Sequence, residues 1–188
     1  IENATLNDVK AFFTKHYNPS NAILVVAGNV TVAEVKRLTE KWFAPIPAGE
    51  KYVRSLPVEP KQTIARKKTV HANVPLDALY KCWHIYPRTD MRYYTADLIT
   101  EILSGGGSSR LFQSLVKEKQ LFSNIECYHL GSTDAGLLTI EGKLVKGVPM
   151  ETAEKAVNEE LLKLQQGGIS QRELDKVKNK TESMIAFE

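Results

Sequence analysis

Cysteine is scarce: two in 188 residues, too few for a disulfide framework and silent about redox compartment. No apolar run approaches the ~20 residues of a membrane-spanning helix, and the opening residues do not read as a secretory leader. Charge of one sign is not in excess either. Twenty-five Lys and Arg against 22 Asp and Glu leave +3, too little to imply nucleic acid or an anionic membrane as partner. The metal and nucleophile signatures H-E-x-x-H, H-x-x-E-H, C-x-x-C and G-x-S-x-G are all missing, so no catalytic centre can be read from a motif.

What is present is ordinary globular usage, 43% hydrophobic and 25% charged, which argues against a disordered chain. A compact fold of this length would expose about 9,000 Å² of the about 31,000 Å² of its unfolded chain, burying roughly 70%. Thr5 precedes Leu6, Val9, Phe12, Phe13 and His16, the stripe of a core-facing helix. A turn at Tyr17–Asn21 leads to Ala22–Ala27, a continuous apolar run of the kind that forms a strand covered on both faces. Thr31 and Glu34 predict a capping box for a helix presenting Val35, Leu38 and Trp42. Four prolines between Pro45 and Gln62 mark a linker, so we expect a first segment, 1–62, and a second, 63–188. Beginning at Ile1 without methionine and stopping inside a predicted helix, the chain reads as a piece of a longer protein.

The second segment alternates with period two over Leu79–Tyr86, then predicts a helix from Asp90 to the glycines 105–107. Ser108 and Ser109 restart a helix carrying Leu111, Phe112 and Leu115. Ile125–Leu130 and Leu137–Leu144 read as a hairpin. Two helices close the chain, one through Ala153, Ala156, Val157, Leu161 and Leu164. The other starts at the Ser170/Glu173 capping box and shows Leu174, Val177, Thr181 and Met184. Strands and helices mix without βαβ alternation, so the class is α+β: a mixed or antiparallel sheet with helices packed on one face.

Two features invite chemistry. Gly105-Gly106-Gly107-Ser108-Ser109-Arg110 lies between helices, where free backbone N–H groups attract anions or a peptide carbonyl; a plain helix–helix turn explains it equally. Cys82-x-His84 and Cys127-x-His129 each put two ligand types on one strand face. If those strands were neighbours, four zinc ligands could converge; otherwise small cysteines and a hydrogen-bonded histidine fill a sheet face. The carboxylates sit at salt-bridge spacing on helix faces and read as solvated surface.

Phe12–Val30 resembles the F-x-x-x-Y-x-P-x-N-x-x-L-x-V-x-G-D segment of the M16 (pitrilysin/insulinase-like) zinc metallopeptidases. Ile102–Leu121 resembles that family's I-L-x-G-G-x-x-S-R-L-x-x-x-L-x-x-E-x-x-L segment. Both occur in order, with the proline-rich stretch where a linker between homologous halves would lie, and the resemblance covers nearly the whole chain. Such proteins cut polypeptides with an H-x-x-E-H zinc motif in the first half, which this sequence lacks. The resemblance thus implies a noncatalytic, M16 peptidase-half-like piece with no catalytic or metal residues of its own; zinc is expected in a partner half. Residues 1–62 would be the tail of the preceding half and 63–188 the start of the second.

The same resemblance implies that Gly105, Gly106, Gly107, Ser108, Ser109 and Arg110 handle polypeptide substrate. It also implies partnership with a zinc-bearing half, a homologous subunit or a second copy of this chain. Positions that carry an auxiliary arginine and tyrosine in some members are Val116 and Ser123 here, which supply neither charge nor phenol. Because the two halves share a fold, Ala22–Ala27 is expected to complete the sheet of residues 65–144, as in a circular permutant. A structural or assembly role without peptide handling is the alternative.

Overall fold

Thr5 and Asp8 close a reciprocal capping box at the start of α1 (Leu6–His16): the Thr5 hydroxyl accepts from the Asp8 amide, and the Asp8 carboxylate accepts from the Thr5 amide at 2.8 Å. At the other end the side-chain amides of Asn18 and Asn21 donate to the carbonyls of Lys15 and His16, at 3.1 and 2.9 Å, satisfying groups that the last turn leaves open. The computed structural model describes residues 2–187. They fall into two compact units, Ile1–Lys68 and Thr69–Glu188, and α1 belongs to the first. So does α2 (Val32–Trp42), where only half of the expected capping box forms. Thr31 accepts from the Glu34 amide at 3.2 Å, but the Glu34 carboxylate is drawn to Arg37 at 2.7 Å, an i,i+3 ion pair on the open side of the helix.

Ala22–Ala27 is not a strand. Its residues belong to no ladder, and Ile23 and Val25 are 92% and 81% exposed. An apolar run becomes a strand only where a neighbour takes up its backbone donors and acceptors. The first unit offers two α-helices and a 3₁₀ turn at Pro19–Asn21, with no second strand among its described residues. The sheet takes its three strands from the second unit. No described residue of the first unit is buried. The expected 70% burial is accordingly not reached: 15080 Å² stays accessible.

The second unit is built on β1 (Ala78–Ile85), β2 (Phe122–Leu130) and β3 (Gly136–Leu144), antiparallel in the order β1-β3-β2. Lys81, Ile140 and Cys127 lie in one row across the sheet; Cys82, Thr139 and Tyr128 lie in the next. Because neighbouring rows face opposite sides, the first row meets the helices and the second faces away. Helix α3 (Tyr93–Ser104), a π-helix at Phe112–Glu118 and α4 (Met150–Gly167) cover that one face. Leu103, Leu111, Leu115, Phe122, Ile140, Leu144 and Val157 fill the space between, each at most 1% exposed. The helix expected after Ser109 is therefore a wider one than its spacing suggested. Helix α5 (Gln171–Phe187) is held by less: Val177 is buried, Leu174 and Thr181 are half-buried, and Met184 is 51% exposed. No helix among the described residues is long and apolar enough to cross a membrane.

Candidate functional site

The glycine run occupies the turn between α3 and the π-helix. Gly105 ends α3 by donating its amide to the Glu101 carbonyl at 2.8 Å, and a Cβ there would collide with the Glu101 carboxylate. Gly106 has φ +105°, a backbone region that only glycine enters freely. Gly107 is under no such demand: a Cβ would meet nothing nearer than the Phe112 ring at 4.0 Å. Ser109 is 1% exposed and turns inward, its hydroxyl donating to the Gly106 carbonyl at 2.6 Å. The Gln113 side-chain amide donates to the Gly107 carbonyl. After these bonds are counted, the Gly107 and Ser108 amides have no hydrogen-bond partner among the described residues.

The side chains of the run are spoken for. Arg110 lays its guanidinium fork on Glu173 of α5, Nε to Oε1 at 2.7 Å and Nη2 to Oε2 at 2.9 Å, and Nη2 also donates to the Gly168 carbonyl at 2.9 Å. Lys176 Nζ donates to the Ser108 hydroxyl at 2.8 Å, and Lys180 pairs with Glu101. Three residues on one face of α5, at spacings of three and four, thus bracket the glycines, Lys180 at Glu101 before them and Lys176 and Glu173 at Ser108 and Arg110 after them. The Ser170/Glu173 capping box is present as expected, with the Ser170 amide donating to Glu173 at 2.9 Å. What the sequence did not reveal is that the same carboxylate also receives Arg110 across 63 positions. Local spacing marks a charged helix face but not its distant partner.

The reading of the carboxylates as solvated surface is wrong for Glu160. It is 5% exposed and accepts from the Ser114 hydroxyl and from Lys163, both at 2.7 Å. Burial opposes its charge, yet the bonds from Lys163 and Ser114 outweigh it and hold the carboxyl below its ordinary pKa. It ties the π-helix to α4.

The two Cys-x-His pairs do not come together. Cys82 faces the open side, 3.5 Å from the Thr139 hydroxyl, whereas Cys127 lies in the helix-covered core. Burial pushes the Cys127 thiol up to about 12, the protonated, unreactive form. His129 Nε2 lies 2.8 Å from Asp97 Oδ1, and its ring stands edge-on to Tyr93. The two Cys-x-His pairs therefore do not converge on a zinc site, and no group of three or more His, Cys, Asp or Glu among the described residues is placed to hold a metal ion. Val116 packs against the core and the Ser123 hydroxyl donates to the Lys143 carbonyl at 3.1 Å. The arrangement offers two backbone donors on a loop held by hydrogen bonds.

A family profile described as peptidase M16 inactive domain matches residues 3–181. The zinc protease PqqE of Helicobacter pylori is 31% identical over 181 residues, covering 95% of this chain and 41% of its own length. A solved protease from Helicobacter pylori superposes with a TM-score of 0.85 at 30% identity, over 98% of this chain and 46% of that one. A peptidase M16 inactive domain from Pseudomonas fluorescens shares the fold, with a TM-score of 0.76 at 24% identity, over 97% and 44%. This chain spans less than half the length of each of these relatives.

Proposed function

Because this chain belongs to the peptidase M16 inactive-domain family, we propose that it acts as the noncatalytic half of a longer zinc protease. In that reading it docks on a zinc-bearing half and helps enclose polypeptide, holding an extended segment at Gly105–Arg110. The observation that carries the binding role is the pair of unpartnered amides at Gly107 and Ser108, on a turn whose every neighbour is fixed by hydrogen bonds. Donors fixed in advance bind a peptide carbonyl without the entropy of ordering a loop. The partner half is supported by the first unit, where Val9, Phe12 and Phe13 are each 58% exposed; residues 1–62 then serve as the tail of the preceding half and give that apolar surface to it. Zinc, in this account, belongs to residues outside this chain.

The test is saturable binding of an unfolded, labelled polypeptide to the full chain, read by anisotropy. Gly107→Ala keeps the amide and has room for its methyl group, so it should bind as the unsubstituted chain does. Gly107→Pro removes the donor and should weaken binding roughly tenfold, the scale of one lost hydrogen bond. Equal affinities for the two variants would refute the loop's role. A second reading, assembly without peptide handling, has its own support: Nε and Nη2 of Arg110 are held by Glu173 and Gly168, so the one charged group of the run is already engaged in tying the loop to α5. Failure of all forms to bind polypeptide would favour it.

A further inference from the structure

Helix α5 is attached to the second unit by two kinds of contact of unequal weight. Its apolar attachment is narrow, with Val177 alone fully buried; α4, by comparison, buries Ala153, Ala156 and Val157. Its polar attachment is aimed almost wholly at one place: Glu173 on Arg110, Lys176 on Ser108, Lys180 on Glu101. The charges alternate in sense, an acid on α5 meeting a base at the loop and a base on α5 meeting an acid. The side chains remain in contact with water, at 21% and 33% exposure for Arg110 and Glu173 and 43% and 30% for Lys180 and Glu101. Ion pairs so placed are screened by salt, while buried apolar contacts are not.

We propose that α5 is a charge-latched strap over the glycine loop, with Glu173 as its positioning residue: while the latch is closed the loop has one conformation, and opening the latch frees loop and helix together. The contacts bracket the run, from Glu101 to Arg110, so no part of it can move far while all three hold. Once they part, only bonds within the turn, from Ser109 to the Gly106 carbonyl and from Gln113 to the Gly107 carbonyl, still hold the three consecutive glycines, and Gly106 leaves the φ +105° it holds in the closed form more readily. The strap does not depend on what the loop binds.

Amide hydrogen exchange on the full chain tests this. Between roughly 0.05 M and roughly 1 M salt the screening length falls from more than 10 Å to about 3 Å. Exchange at residues 105–111 and along α5 should accelerate together, roughly tenfold, while β3 and α4 keep their protection. Glu173→Gln should produce the same acceleration at low salt, as should Glu101→Lys alone, and adding Lys180→Glu to Glu101→Lys should restore salt-dependent protection. Loop exchange that ignores salt, or that rises while α5 stays protected, would overturn the proposal. Should Glu173→Gln also loosen β3, the variant has unfolded the unit, and the salt series on the unsubstituted chain decides alone.

Discussion

At Glu173 one carboxylate serves two elements, starting α5 through Ser170 and holding the loop through Arg110. The Arg110 guanidinium first, and the Ser170 amide second, bring its pKa down to about 2. An unfolded glutamate titrates near about 4.3. A group whose folded value is depressed contributes stability that is complete above the unfolded value and is lost as pH falls through the folded one. The latch should thus be indifferent to pH from neutrality to about 4.3 and weaken from there toward 2. Asp90, held at about 2 by Arg92, titrates across the same window, so the informative quantity is a difference. Melting temperature against pH should fall less steeply in Glu173→Gln than in the unsubstituted chain between those limits; parallel curves would show that the pair contributes nothing to acid stability.

At the scale of elements, the edge of β2 is capped at Cys127 by a single side chain. Ser104, the last residue of α3, accepts from the Cys127 amide at 2.8 Å and donates to the Cys127 carbonyl at 2.9 Å, supplying what a further strand would. Ser104→Ala leaves both groups unpaired beside the core, where each costs about 1–3 kcal/mol. Urea unfolding should show a lower midpoint with an unchanged slope, and an unmoved midpoint would mean that water replaces the hydroxyl without loss. The helices, the hairpin and the α+β class were legible because periodicity records which face is buried: Ala153 and Val157 lie where their pattern puts them. Ala22–Ala27 was misread because composition records a tendency to be covered, not the presence of a cover. The glycine turn was legible as a turn from Gly105–Gly107, but its latch was not. Glu173, Lys176 and Lys180 find partners 63 to 79 positions away, a separation that no local pattern encodes. Ser104 and Glu160 escaped for the same reason, their partners lying 23 and 46 positions distant.

For the molecule as a whole, burial is distributed so unevenly that the two units should behave as different kinds of polymer. Folding must offset a backbone entropy cost of about 1–2 kcal/mol per ordered residue, and removal of apolar surface from water at about 25 cal/mol per Å² is the main source of that compensation. The second unit has a contiguous core from Leu79 to Val157. The first has none among its described residues: its ring contacts are surface ones, such as the Phe13–Tyr17 stack at 4.6 Å and the His16–Tyr52 edge contact at 4.7 Å. Isolated helices as short as α1 and α2, 11 residues each, are marginal in water even with good caps. A polypeptide of residues 69–188 should therefore unfold cooperatively in urea, with tryptophan fluorescence at Trp83 and far-UV circular dichroism giving one midpoint. A polypeptide of residues 1–68 should show a shallow, non-cooperative change and little helix. If the proposed zinc-bearing half provides the cover that Phe12, Ile23 and Trp42 lack, adding it to residues 1–68 should raise their helix content and slow amide exchange in α1 and α2. A cooperative transition in residues 1–68 alone would contradict this, since it would require a core that the exposed side chains of that unit do not form.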